Sequence, residues 1–514
     1  MILSLYDLTG IQRYIFGSNR LPENIGASYL TGTCLGVWLR DIADLEEAGS
    51  FQWAGGGNAL LHCSSEEVAK RIATHLSTKL HKCAPGLSVA CAHAKWDGEN
   101  AAFPAALKQA YHLLDREKVG RKPDASFDGV GVTAQCASTG ESAIDWYTRD
   151  SNKNYRPRWV GPSVRAKLEA VDKAEDAIKN IHDPSPLVYP RDLDSLGRTR
   201  GENSFVGVIH FDGNQIGKRA EEAGQKPDGG KALKEWSNKI GEAGRAALKG
   251  ALQWVEKNLN AIIDPQKGGF HLSPVPNSPG EFHFPVRPLL FGGDDISLVC
   301  DGRLALDLGA QLILEWRKAT TGLLGSDYHA CVGVALVKSH YPFYQAYKLA
   351  EALCKNAKKW LHENPPTNAS ALDYEIAAGG AILSLDQRRK QDVASASHER
   401  LHARPYLVCG DPPRTLPHRS WKVFRNDILG AFQTNKEWEE FRAQLHSLAP
   451  ALRGGSEVAR STLIRWKDRF NKTLPVGDIS ALQMTGFCGS ETPYLDAIEL
   501  LDMVTFPLDR GNAS

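Results

Sequence analysis

Two stretches of this chain carry the same pattern in the same order, and that repetition limits the architecture more than any single motif does. Near the start, the apolar run ILSLY leads into Asp7-Leu8-Thr9-Gly10-Ile11-Gln12; near the middle, FVGVIHF leads into Asp212-Gly213-Asn214-Gln215-Ile216-Gly217. In each copy a buried strand ends at an aspartate and a glycine-bearing turn. A helical stretch follows, then a glycine hairpin between apolar strands: Trp53-Ala54-Gly55-Gly56-Gly57-Asn58-Ala59-Leu60-Leu61 in the first copy, Leu290-Phe291-Gly292-Gly293-Asp294-Asp295-Ile296-Ser297-Leu298 in the second. Gly55 and Gly56 answer to Gly292 and Gly293. A strand and a helix close each copy: LSVACAHAKW with AAFPAALKQAYHLLDREK, and HACVGVALVKSH with PFYQAYKLAEALCKNAKK. Strand, helix, hairpin, helix, strand is the ferredoxin-like order.

The expected fold is therefore α+β, with two ferredoxin-like palm domains plus a C-terminal helical domain. A first palm with a degenerate GGGN hairpin spans 1–135, a connector 136–200, a second palm with the GGDD hairpin 201–411 and the helical domain 412–514. A length of 514 residues fits three or four units at roughly 150 residues each. The second copy is longer, and its insertions GQKPDGGKALKEW and SPVPNSPGEFHFPVRP read as surface excursions rather than new core. After about Pro412, apolar residues recur three or four apart.

Lys plus Arg number 61 against 60 Asp plus Glu, so a net charge of +1 supplies no global field toward a polyanion. Any polyanion must be held by a local patch. The start lacks the features of a secretory signal and no run suits a membrane span, so a cytoplasmic protein with no membrane association is expected. Ten scattered cysteines form no Cys-x-x-Cys pair. Several, such as Cys331, read as small buried hydrophobes.

The copies differ where chemistry would sit. After the glycine pair the second copy has Asp294 and Asp295, and the first has Gly57 and Asn58. A ferredoxin-like fold brings Asp212, Asp294 and Asp295 to adjacent strand ends. Three clustered carboxylates raise one another's pKa unless a cation is present. Carboxylate oxygens beside phosphates suit Mg²⁺ or Mn²⁺, and two such ions activate a hydroxyl and stabilise leaving pyrophosphate. Side-chain-free Gly292 and Gly293 let a nucleotide approach the backbone. Gly-Gly-Asp-Asp is also good turn chemistry by itself, but here an aspartate at the matching earlier strand end accompanies it.

Lys355, Lys358 and Lys359 follow on the last helix of the second copy, where they face a triphosphate or form a solvated face. Arg460, Arg465, Lys467, Arg469 and Lys472 make a basic strip, read as an exposed helix face before an RNA contact. His182-Asp183 lacks a partnering His/Asp set and reads as a loop, Cys136 with Ser138 and Ser142 forms no nucleophile arrangement, and Asp7 reads as a structural strand end.

Together these features resemble the large polymerase/cyclase subunit of type III CRISPR effector complexes, whose two palm domains and Gly-Gly-Asp-Asp motif make cyclic oligoadenylates from ATP. The resemblance spans most of the chain: YDLTGIQRYIF with IGASYL, the degenerate GGGNALL, FDGNQIGK, FGGDDISLV, VGVALVKSHYPFYQAYKLAEALCKNAKK, LDYEIAAG and RPYLV. It implies that Asp212, Asp294 and Asp295 are the catalytic metal ligands, that Gly292 and Gly293, with Gly213, face the nucleotide, and that Lys358 contacts phosphate. It further implies ATP as substrate, and a guide RNA, sister subunits and a target RNA as partners. The chain departs from the family pattern in three ways. The first palm starts within ten residues of Met1, so the DNA cutting of an N-terminal His-Asp nuclease domain is not expected. Only Cys136 lies in the connector, where paired cysteines often bind zinc, and Asn214 stands where a second acid is common. Two other functions compete with a cyclase of this kind: a catalytically weak scaffold in an RNA-guided complex, and a stand-alone GGDEF-like cyclase using GTP.

Overall fold

The computed structural model describes residues 1–46, 49–120, 131–148, 157–196, 205–226, 228–264, 266, 269–364, 369–377, 379, 383–391, 393, 398–413, 416–475 and 479–505. The expected boundary at residue 200 and Ala378 of the LDYEIAAG segment lie outside them. Strands β1 (Ile2–Thr9), β2 (Gly49–Gly55), β3 (Asn58–Cys63) and β4 (Ser88–Lys95) form an antiparallel sheet in the order β2-β3-β1-β4. A short hairpin, β5 (Asp145–Tyr147) with β6 (Arg158–Val160), follows. The second sheet holds β7 (Phe205–Gly213), β8 (Val286–Gly292), β9 (Asp295–Asp301), β10 (Ala330–Lys338), β11 (Ser370–Ala377) and β12 (Tyr406–Cys409), in the order β12-β11-β10-β7-β9-β8. Taken in chain order, the first four strands of either sheet lie fourth, first, third, second. The molecule is a mixed α+β protein whose two sheets repeat one topology. The second sheet adds β11, parallel to β10, and β12.

Local chemistry explains the helices between strands. In Glu66–Cys83, Ser65 Oγ accepts from the Val68 N–H at 3.3 Å, Glu66 and Glu67 occupy the first turn, and Ala69, Ile72, Leu76 and Leu80 form the buried stripe. Strand alternation then assigns the faces. Val206 and Val208 of β7 face a core shared with Ile2, Tyr6 and Leu8 of β1, with Phe16 stacked on Tyr347 at 3.7 Å between them. Ile209 and Phe211 face the helices Gly229–Lys257 and Ala305–Leu324.

Both insertions in the second copy contribute core, contrary to the expectation of surface excursions. GQKPDGGKALKEW runs into the 29-residue helix Gly229–Lys257, and its Leu233 is buried with Leu107 of the first copy. Gly229 and Gly230 lie close against Phe103. Spaced polar residues hide the stripe Leu233, Ile240, Ala243, Ala247 and Leu248 from inspection of the segment's start. In the other insertion Phe284 is fully buried, and its N–H donates to the Val188 carbonyl at 2.8 Å.

The C-terminal helices share the core of the second sheet: Trp421, Phe424, Leu445, Leu495 and Ile498 belong to the same cluster as Ile209 and Phe211. Asp496, fully buried, ties them down. Its carboxylate accepts from Tyr374 Oη (2.8 Å), Tyr406 Oη (2.6 Å) and the Ala403 N–H (2.9 Å), and meets His402 Nδ1 at 2.7 Å. Among the described residues, no helix is long and apolar enough to cross a membrane.

Candidate active site at the end of the second sheet

Asp212 ends β7, and strand pairing decides its neighbours. Asp212 lies opposite Asp295 on β9 and opposite Cys331 on β10, and Asp295 in turn lies opposite Gly292. Directly paired residues share a face, so Asp212 and Asp295 project together. Asp294 sits in the turn, and its carbonyl accepts from the Gly213 N–H at 3.1 Å. Gly293 has φ +75°, a conformation that favours glycine, while a side chain at Gly292 would meet nothing within 4 Å. Gly213 is constrained differently: a Cβ there would come within 2.7 Å of Ile216 and 3.0 Å of Asp294. Its missing side chain is required by packing.

The tip also presses on the long helix. A Cβ on Gly244 would stand 1.9 Å from the Gly293 carbonyl oxygen, so the helix holds the hairpin at backbone contact. Gly244→Ala is expected to push the tip outward, with a stability cost of about 1–3 kcal/mol measurable by chemical denaturation.

Lys358 reaches the site from the helix Phe343–Glu363. Its Nζ lies 2.6 Å from Asp212 Oδ2 and donates to the Gly213 carbonyl at 2.9 Å. Burial alone would lower the lysine pKa, but the charge of Asp212 outweighs it and raises it. Lys355 instead pairs with Glu351 at 2.8 Å, and Lys359 with Glu363 at 3.8 Å, both lysines being largely exposed. Burial, then the charge of Asp212, pushes the Asp294 carboxyl up to about 6. Burial, then the charges of Asp212, Asp294 and Glu351, pushes Asp295 up to about 8. The outer edge of Asp295 is open, its side chain 38 % exposed, yet Oδ1 is enclosed and has no hydrogen-bond partner. An enclosed acceptor beside two further acids is a position that a cation satisfies, so these residues fit Mg²⁺ or Mn²⁺.

The first copy reproduces this frame without the acids. Asp7 lies opposite Asn58, and the Leu8 N–H donates to the Gly57 carbonyl at 2.8 Å. Asp7 pairs with Lys118 at 2.8 Å, from the helix Phe103–Gly120, as Asp212 does with Lys358. His182 is buried beside Tyr189 and Glu256, and Asp183 makes a turn with Ser185. The basic strip lies on the helix Ser456–Phe470 with Arg460, Arg465, Lys467 and Arg469 exposed, while Lys472, just beyond it, pairs with Glu437 at 2.7 Å.

Sequence reasoning missed four neighbours of the site. Glu351 is buried and accepts from Gln12 of the first copy (2.9 Å), Lys348 (3.2 Å) and Lys355 (2.8 Å). Burial would raise its pKa, but these bonds prevail and hold it at about 2. His210 and Cys354 lie behind Asp212, and Gly244 under the tip. His210 was legible from β-strand alternation with Asp212, two residues on; the other three had no local signal.

No family model and no curated protein matches the chain. Solved structures do. A Csm1–Csm4 cassette in complex with cA3 aligns with a TM-score of 0.55 at 14 % identity, covering 98 % of this chain and 69 % of that one. The cassette in complex with one ATP gives 0.55 at 13 %, with coverages of 98 % and 70 %. Csm1 of T. onnurineus gives 0.53 at 13 %, with coverages of 98 % and 69 %. Over nearly its whole length, then, this chain has the fold of Csm1 (Cas10) of type III CRISPR Csm complexes.

Proposed function

We propose that the chain is a metal-dependent nucleotidyltransferase that joins ATP into cyclic oligoadenylates as the large subunit of a type III CRISPR complex. The observation that carries this reading is the register placing Asp212 opposite Asp295 beside the open Gly292 turn. In this reading residues 1–135 and 201–411 are two palm domains, 136–200 a connector and 412–514 a helical domain. Solved relatives of the same fold were captured with ATP and with cA3, which supports the substrate class. Guide RNA, sister subunits and target RNA would gate the reaction, and the cytoplasm is its setting.

Asp212, Asp294 and Asp295 would hold Mg²⁺ or Mn²⁺, which supplies charge neutralisation for the attacking hydroxyl and the leaving pyrophosphate. The residues themselves do the rest. Gly292 leaves room for the triphosphate against the backbone, and Gly293 permits the tight turn. Lys358 holds Asp212 in place and offers its charge to phosphate oxygens. The glycine hairpin of the first copy, without acids, positions the acceptor nucleotide.

Incubating the chain, alone or in its complex, with labelled ATP and Mn²⁺ tests the reading. Pyrophosphate and cyclic oligoadenylates are expected, and both disappear when Asp294 and Asp295 are changed to Ala; a scaffold yields neither product. Two glycine variants separate approach from position. Gly292→Ala should leave stability within about 0.5 kcal/mol, because its Cβ meets nothing, yet raise KM for ATP. Gly244→Ala should instead lower kcat by about tenfold or more through the displaced tip.

A further inference from the structure

Behind the acidic tip, β7 and the helix Phe343–Glu363 bring together donors of three different kinds. His210 precedes Asp212 by two residues, so both leave the same face of β7. Cys354 stands on the helix covering that face, between Glu351 and Lys358 at helical spacing. A ring nitrogen of His210, a carboxylate oxygen of Asp212 and Sγ of Cys354 all lie within 4.8 Å of one another, a three-donor group formed by none of the other described residues. His210 is 5 % exposed and Cys354 1 %, while the Asp212 side chain is 37 % exposed, which leaves a way in from solvent. Asp295 Oδ1 lies 3.5 Å from His210 Nδ1, on the side of the ring that also meets Ser297, and is not part of the three-donor group.

Nitrogen, sulfur and oxygen together are the donor set that zinc-class ions favour and magnesium does not. Ligands on a tetrahedral zinc stand about 3.3–3.7 Å apart, so the donors would draw together by at most about 1.5 Å on binding. Both buried donors are already oriented by neighbours. Cys354 Sγ donates to the Cys331 carbonyl at 3.2 Å, and His210 Nδ1 meets Ser297 Oγ at 3.3 Å.

We propose that His210, Cys354 and Asp212 bind a zinc-class divalent ion, with water from the open Asp212 side as the fourth ligand, and that this ion competes with the nucleotide site for Asp212. As the sulfur–metal bond forms, the thiol proton leaves to solvent and the Cys331 carbonyl gives up its donor. The binding stands on the geometry alone; the competition rests on the function proposed above.

Cobalt(II) titration of the full chain under reducing, metal-free conditions tests the binding. About one equivalent should produce a near-ultraviolet thiolate-to-cobalt band and the visible bands of a tetrahedral site. Zn²⁺ should abolish the bands and excess Mg²⁺ should not. Cys354→Ser should remove the thiolate band, whereas Cys83→Ser, at an exposed cysteine, should keep it. His210→Asn should keep thiolate character but weaken affinity about tenfold or more, and the melting temperature of each variant checks that it folds. A wild-type chain with no thiolate band, or a band surviving in Cys354→Ser, overturns the site. In the ATP assay, Zn²⁺ should suppress turnover at least about tenfold in the wild type and far less in Cys354→Ser, by loss of the same ligand. Turnover that is indifferent to zinc in a chain showing the band overturns the competition. A chain with the band and no turnover keeps the site and overturns the nucleotidyltransferase reading instead.

Discussion

Asp295→Asn is expected to lower pyrophosphate release from ATP by about 10²–10³-fold and, in metal-free buffer at pH 8, to raise the melting temperature. The opposite signs share one cause. Asp295 is held up at about 8 by burial and by Asp212, Asp294 and Glu351, against an ordinary aspartate near 3.9 in the unfolded chain. Below about pH 4 both forms are protonated and the group adds no cost. As pH rises from there, the unfolded chain releases its proton freely while the folded chain resists, so stability falls until about pH 8, where the penalty is complete. Because the carboxylate is 38 % exposed, water screens it and the penalty is about 1–2 kcal/mol. Asparagine removes it. Mg²⁺ should stabilise the wild type most at pH 8 and hardly at pH 5, where protons compete for the same oxygens. Calorimetry at the two pH values, with and without Mg²⁺, reads all of this. An aspartate that merely shaped the turn would move neither turnover nor the metal-dependent melting.

Asp496→Ala is expected to carry the largest stability loss, about 3–5 kcal/mol, read as a lowered denaturation midpoint. The carboxylate is fully buried, and its removal strands two tyrosine hydroxyls, a backbone N–H and His402 at once. Burial opposes its ionisation, but the charge and hydrogen bond of His402, with Arg404 and Tyr406, hold the carboxyl far below the usual range. Its contribution is therefore present above pH 4 and is lost on strong acidification. Since Tyr374 lies on β11 and Tyr406 on β12, the damage should reach the second sheet as well as the C-terminal helices. Asp496→Asn, which keeps the shape and one of the two acceptor oxygens, should lose less.

The parts of the site that were legible in the sequence are those fixed by strand ends and turns. An aspartate closing an apolar run and a glycine pair before two acids are local signals, and a repeated topology turns them into neighbours, as the pairing of Asp212 with Asp295 shows. Lys358 could be favoured over Lys355 and Lys359 only by resemblance, since all three share one basic run; the structure separates them by depth, with Lys358 alone reaching Asp212. Cys354 looked like any small apolar residue in KLAEALCKNAKK, because only the tertiary fold sets it behind His210. The long helix was hidden for another reason. Its start is rich in glycine and lysine, and the first apolar residue of its stripe, Leu233, is covered by Phe103 and Leu107 of the first copy, far away in sequence.

That helix also makes the hairpin's position a property of the whole molecule. It is anchored by Gly229 and Leu233 beneath the first sheet and touches the Gly293 carbonyl fifteen residues later, a rod of roughly 22 Å at the ordinary helical rise. One continuous helix thus joins the seat beneath the first sheet to the backbone of the acidic tip, so the two copies share a single structural support for the hairpin.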